Sequence, residues 1–306
     1  MWTTSVRNTA VEKYSYSLVT EQGERDPDTL EDMIGKIETL AAPAYRKYLN
    51  QEPLSQDDRD AFAIFVSMMH LRARVMRRLA AEILAAQLRT IGYAYAADDA
   101  AWEQSMAEFE KKHGAVDDGF SERMRKLMLD PAGIKYSIAQ EVTAPLALHQ
   151  LKEIGQVINR MTWTRLSSDT VDFITSDSPV GLFLPSKFRG PHVGEGLAVP
   201  GIEVTLPLSP RLCWLGTWEK DAVEEMALSR ANTKEMNRLR ALHAERFLYS
   251  REHDSGIQKL AVKFWGMGTH LAPSGPGFDG KPMDVGQFNI QTTGFGKVDL
   301  EEDDNP

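Results

Sequence analysis

A cation that cannot lose its charge is the first candidate for chemistry in this sequence. Arg72 closes the run Phe65-Val-Ser-Met-Met-His-Leu-Arg72, and helical spacing sets it among Phe65, Met69, Met76 and Leu79. A guanidinium at the side of an apolar stripe needs a carboxylate partner or an anionic ligand. Glu38, beside Ala41 and Tyr45 on the preceding helix, is a suitable partner, because helices joined by a short turn pack antiparallel. Asp177 is the third candidate. It follows an apolar strand in Thr175-Ser-Asp-Ser-Pro179, where alternation places Phe173, Thr175 and Asp177 on one face. Two readings of it stand: a turn in which side-chain oxygens bond nearby backbone N–H groups, or a carboxylate aimed into a cleft as base or ligand. Arg74, Arg77 and Arg78 project opposite the apolar stripe and are expected to form a solvated face.

Several chemistries are excluded. The seven histidines never stand three or four apart, and no H-E-x-x-H, P-loop or dinucleotide fingerprint occurs. Ser209 lacks a nucleophile-elbow context. The single cysteine, Cys213, rules out a disulfide framework and a cysteine zinc site. No local pattern signals a metal, and no cofactor is implied. With 44 acidic against 35 basic residues the net charge is −9, a poor surface for general nucleic-acid binding. No apolar run approaches the roughly 20 residues of a membrane span, and the start lacks a signal-peptide layout. The expected location is the cytoplasm, away from membranes.

The elements that must position these residues follow from periodicity. Glu12 to Thr20 reads as an edge strand. Asp26-Pro27 opens a helix carrying Leu30, Met33, Ile34, Ile37, Ala41, Ala44 and Tyr48 on one stripe. Ser55 caps a second helix, expected to run unbroken to about Leu88. Further helices are predicted over 99–112, 121–129 and 132–156, with a glycine-bearing loop at 113–119. After Arg160 the period shortens. Strands are predicted over 161–166, 171–175, 180–184, 202–206 and 212–215, the last two as a hairpin with Ile202, Val204 and Leu206 on its buried face. Helices are expected over 221–228, 231–245 and 257–265, with a short strand at 247–249. Helices, then strands, then helices make an α+β layout of amphipathic helices on a small, mainly antiparallel sheet. One composite domain should cover 1–265: a helical part over 26–157, a sheet part over 160–217, and helices and a strand over 219–265. The glycine-rich acidic segment 266–306 is expected to be flexible.

Taken in order, Ile37-Glu38, Phe65 to Arg72, Phe173-Ile-Thr-Ser-Asp-Ser-Pro-Val180, Leu206-Pro-Leu-Ser-Pro210, Asn237 and Ala244-Glu-Arg-Phe-Leu-Tyr249 form a recognisable series. It resembles the uncharacterised family catalogued as domain of unknown function 4238, over roughly residues 8 to 250. The resemblance implies that Glu38, Arg72, Asp177 and Asn237 stand at the family's polar motif positions, and it implies no reaction. Two departures matter. The family's opening His-Tyr-Val-Pro-Gln segment has no counterpart here, so a site that needs that histidine would be incomplete. Its Gln-x-x-Arg-Thr-Pro helix motif is met by Met69, Arg72, Ala73 and Arg74.

Two functional expectations result. In one, the protein is a hydrolase for a phosphate- or ester-bearing substrate. Arg72 holds the anion, Asp177 acts as base or metal ligand, and Glu38 and Asn237 orient them. In the other, it is a non-catalytic binding or interaction protein whose polar cluster is structural. A small anionic ligand is the expected partner in the first case.

Overall fold

The computed structural model describes residues 18–19, 25–26, 28–130, 133–188 and 196–264. Strands β1 (Leu18–Val19) and β2 (Arg25–Asp26) pair antiparallel ahead of the first helix; the rest of the predicted 12–20 strand lies outside these residues, as does segment 266–306. Helix α1 is Thr29–Leu49, and the Asp26 carboxylate caps it, accepting from the amides of Asp28 and Thr29 at 3.0 Å each. Helix α2 (Gln56–Leu71) starts with a reciprocal capping box between Ser55 and Asp58.

The expected long second helix is broken. Arg72 and Ala73 interrupt it, Ala73 being extended, and α3 (Arg74–Ala97) sets off anew. Arg74 is the first residue of α3, the place where the family motif has proline and where proline suits a helix start. Helices α4 (Asp99–His113) and α5 (Phe120–Leu129) follow, joined by a loop in which Gly114 and Gly119 both adopt positive φ. The predicted 132–156 helix is also divided, into α6 (Gln140–Leu148) and α7 (Leu151–Arg160). Helix α6 packs on α3 and α7 on α2, so the break lets each turn its apolar face toward a different neighbour.

The five-stranded sheet has the order β5-β6-β7-β3-β8. Its strands are β3 (Thr162–Ser167), β5 (Gly181–Phe183), β6 (Glu203–Ser209), β7 (Leu212–Thr217) and β8 (Glu225–Ala227). The β6–β7 hairpin forms as expected, with Ile202, Val204 and Leu206 buried together. The predicted 221–228 helix is instead the exposed edge strand β8, the one parallel member. Its composition favours a helix, but the open edge of β3 captures the backbone: Arg165 N donates to Glu224 O at 2.7 Å and Leu228 N to Ser167 O at 2.8 Å.

Of the predicted 171–175 strand only Thr175 pairs, in β4 (Thr175–Ser176) against β9 (Leu248–Tyr249). Between α8 (Arg230–His243) and α9 (Ser255–Phe264) the chain passes through that short sheet.

Three layers result, an α+β architecture. Ala44, Tyr48, Phe62, Ala63 and Val66 of α1 and α2, with Ile158 of α7, pack on one sheet face against Trp163, Val204, Leu206 and Trp214. Phe62 is fully buried at its centre, 5.3 Å from Tyr48 and 5.4 Å from Trp163 between ring centroids. Burying one such ring is worth roughly 1.5–3 kcal/mol. On the opposite face Leu166, Phe173 and Cys213 pack with Met236 of α8. No described helix is long and apolar enough to cross a membrane.

Candidate functional site

The break between α2 and α3 gathers arginines. Arg72 caps α2, and its Nη1 donates to Glu38 Oε1 of α1 at 3.0 Å, the pair that antiparallel packing of α1 and α2 predicts. The side chains are 32% and 49% exposed, so the pair is not the buried one expected. The broken helix puts Arg72 at a turn rather than within a continuous apolar stripe. Of the expected solvated face Arg74, Arg77 and Arg78, only Arg74 is exposed. Arg77 is buried, with Nη1 donating to Arg72 O at 2.6 Å. Arg78 Nη1 lies 2.7 Å from Glu245 Oε1, and Arg74 Nε lies 3.8 Å from Glu245 Oε2. The Glu245 side chain is only 7% exposed, so two guanidiniums converge on one shielded carboxylate.

Asp177 stands behind this arrangement. Its carboxylate accepts from the main-chain amides of Glu245 at 3.0 Å and Arg246 at 2.8 Å, while its own N–H donates to Phe247 O at 3.2 Å. Burial pushes this carboxyl above its ordinary value, and the backbone N–H groups of 245–247 oppose that rise. Asp177 therefore grips the loop that carries Glu245. It reaches Arg72 through no salt bridge. Ser176 closes the turn, its Oγ donating to Ser178 O and accepting from Ser178 N.

Asn237 is held on α8, where both ends of its amide are committed. Oδ1 accepts from Ile174 N at 3.1 Å, and Nδ2 donates to Asp172 O at 2.9 Å. Thr233 one turn before it bonds Ser168, and Arg240 one turn after it reaches across the chain that follows Asp177. Arg240 is 4% exposed. Its Nη1 donates to Pro179 O at 2.6 Å and Ser178 O at 3.4 Å, and its Nη2 to Thr205 O at 3.2 Å and Thr205 Oγ1 at 3.0 Å. Among the described residues no carboxylate pairs with it, and burial pushes it down to about 10. Gly181 leaves the space: a Cβ there would lie 3.0 Å from Arg240 Nη1.

The structure thus joins Glu38 with Arg72 and, separately, lets α8 clamp the chain on both sides of Asp177. Glu245, on the loop that Asp177 holds, meets Arg74 and Arg78 of α3. A family model described as a protein of unknown function, DUF4238, matches residues 1–254. The chain belongs to that family. Comparison with curated proteins and with solved structures gives no match. In this DUF4238 chain the Ile174-Thr-Ser-Asp-Ser-Pro-Val180 motif supplies the Asp177 turn and the Ala244–Tyr249 motif supplies its target loop.

Sequence reasoning missed two residues of the network, Glu245 and Arg240. Glu245 lay inside a quoted motif. Arg240 carried a local signal too, a cation next to Ala241 and Leu242 and three residues beyond Asn237, on the face of α8 that is buried. Among the described residues no group of three or more His, Cys, Asp or Glu side chains could hold a metal ion.

Proposed function

We propose that the turn between α2 and α3 binds a small phosphate-bearing ligand, with Arg72 and Arg74 as the contacting cations. One observation carries this reading. Arg72, Arg74 and Arg78 flank one helix break and keep about a third to half of their side chains exposed, while shielded Glu245 pairs with Arg74 and Arg78. Planar, pre-oriented guanidinium donors suit the oxygens of a phosphate group. Glu38 orients Arg72, and Asp177 and Asn237 enter as positioning residues for the loop and strand beneath.

Hydrolysis of a phosphate or ester bond in that ligand is the reaction class considered. Asp177 is a poor base for it, because its oxygens already accept two main-chain N–H groups. Binding is therefore the better supported part of the proposal. The buried Arg77, bonded to the Arg72 carbonyl, favours the alternative in which the cluster only holds the fold together.

Calorimetric titration with pyrophosphate separates the two readings. Binding by the native chain that weakens at least tenfold in Arg72→Ala/Arg74→Ala, with the Tm changed by no more than a few degrees, supports the ligand site. Absence of binding, or equal binding by both proteins, rejects it in favour of the structural reading. Release of p-nitrophenol from p-nitrophenyl phosphate that is undiminished in Asp177→Asn would remove Asp177 as a base.

A further inference from the structure

A cation drawn partly out of water needs acceptors, and the shielded arginines of this protein find them. Arg59, Arg77, Arg125, Arg165, Arg238 and Arg240 each donate to a backbone carbonyl or a carboxylate. Arg89 of α3 is the exception. It is partly buried, its Nε is closed off from solvent, and among the described residues it makes no hydrogen bond and no ion pair. Its two Nη atoms hold no partner either, but they are not closed off, so only the tip of the fork is open.

Arg89 lines a small cleft between α3, the end of α5 and the segment that follows α5. On α3, Gly92 and Tyr93 come three and four residues after Arg89 and share its face. Tyr136 enters from the other side with its hydroxyl over Gly92. A Cβ at position 92 would lie 3.2 Å from Tyr136 Oη and 3.4 Å from Met128 Sδ. A glycine inside a helix weakens it, and this one keeps space open beside the Tyr136 hydroxyl. Among the described residues the Tyr93 and Tyr136 hydroxyls make no hydrogen bond. Met128 and Ile134 border the same cleft with apolar surface. One cation and two phenols converging in an otherwise apolar cleft is the make-up of a ligand site.

The charges at the cleft select the ligand. Asp130 also lines it, yet no ion pair joins Asp130 to Arg89. One guanidinium matches one negative charge, and the Asp130 carboxylate repels a second, which favours a monoanion over a phosphate dianion. Two Nη donors side by side fit the two oxygens of a carboxylate, and a phenol hydroxyl can donate to either. The apolar border suits a short aliphatic body. We propose that this cleft binds the carboxylate of a small aliphatic acid, with Arg89 as its counter-charge and Tyr136 as a second donor. The site is separate from the phosphate site proposed above, because Arg74 lies fifteen residues earlier on α3, about 22 Å along the helix.

Saturation-transfer NMR of the full chain with butyrate tests this, with butyramide as the uncharged control. The expected result is butyrate binding in the millimolar range, the scale of a single partly exposed ion pair, with butyramide at least tenfold weaker. Arg89→Met keeps an aliphatic stem and should weaken butyrate at least tenfold, with unchanged far-ultraviolet circular dichroism. Tyr136→Phe removes one hydroxyl and should weaken it about threefold. Arg72→Ala/Arg74→Ala should leave butyrate binding unchanged, which separates this site from the phosphate site. At pH 8 inorganic phosphate, then a dianion, should not compete with butyrate, and competition would overturn the choice of a carboxylate. No butyrate binding by the native chain, equal binding of butyramide, or unchanged binding in Arg89→Met would each overturn the proposal. So would a loss in Arg72→Ala/Arg74→Ala as large as that in Arg89→Met. Should Arg89→Met fail to fold, Tyr136→Phe decides, and undiminished butyrate binding there overturns the proposal.

Discussion

Replacing Arg240 by methionine and by lysine should produce an order of stabilities that only an unpaired buried cation explains. Methionine leaves four acceptors without their donor: Pro179 O, Ser178 O, Thr205 O and Thr205 Oγ1. The three bonds shorter than 3.3 Å are charge-assisted and worth about 1.5–2 kcal/mol each. Against this, methionine relieves the burial cost that pushes the guanidinium down to about 10, a relief of roughly 3 kcal/mol. The net loss should be about 2 kcal/mol. Lysine keeps the buried charge and its cost but loses the planar fork, so it should lose about 3–5 kcal/mol. Urea unfolding followed by the fluorescence of buried Trp163 and Trp214 measures both, with the midpoint read at constant m. A lysine variant as stable as the methionine variant would refute the reasoning, because it would mean that a counter-charge satisfies the site.

Three further outcomes are expected. Burial pushes His70 and His243 down to about 4, so the unfolded chain binds more protons between pH 6.5 and 4 and stability should fall as pH drops through that window. Both rings retain partial solvent contact, so the loss is at most a few kcal/mol together, and replacing both by glutamine should flatten that part of a pH series of urea midpoints. Arg72→Ala removes a half-exposed ion pair with Glu38; a double-mutant cycle with Glu38→Ala should give a coupling of about 1 kcal/mol or less. Gly201→Ala should destabilise by several kcal/mol in calorimetry, since φ is +82° and a Cβ would lie 2.2 Å from the Phe188 ring.

Much of the fold was legible because local physics set it. The stripe of α1, the Ser55 cap of α2, the glycine loop before α5 and the alternation of β6 are each short-range consequences of residue type, and all of them formed. The Arg72–Glu38 contact was legible for a related reason: helices joined by a short turn have one simple way to pack. Residues 221–228 show the limit. Their composition suits a helix, and only the unfilled edge of β3, distant in sequence, made them a strand.

The polar network was legible in its members but not in its wiring. Side-chain spacing placed Arg74, Arg77 and Arg78 away from the apolar stripe, and that much follows from helical geometry. Whether that face meets water or protein depends on what packs there. The helix breaks at Ala73 and restarts as α3, and the Asp177-held loop delivers Glu245 to Arg78. Asp177 and Asn237 likewise kept their places at motif positions while their partners came from main chain about 65 residues away. Sequence determined which residues carry charge and which faces their elements expose, because both are properties of a residue and its near neighbours. Tertiary structure alone decided which charges are shielded and paired, because desolvation and Coulomb attraction depend on distances that only packing sets.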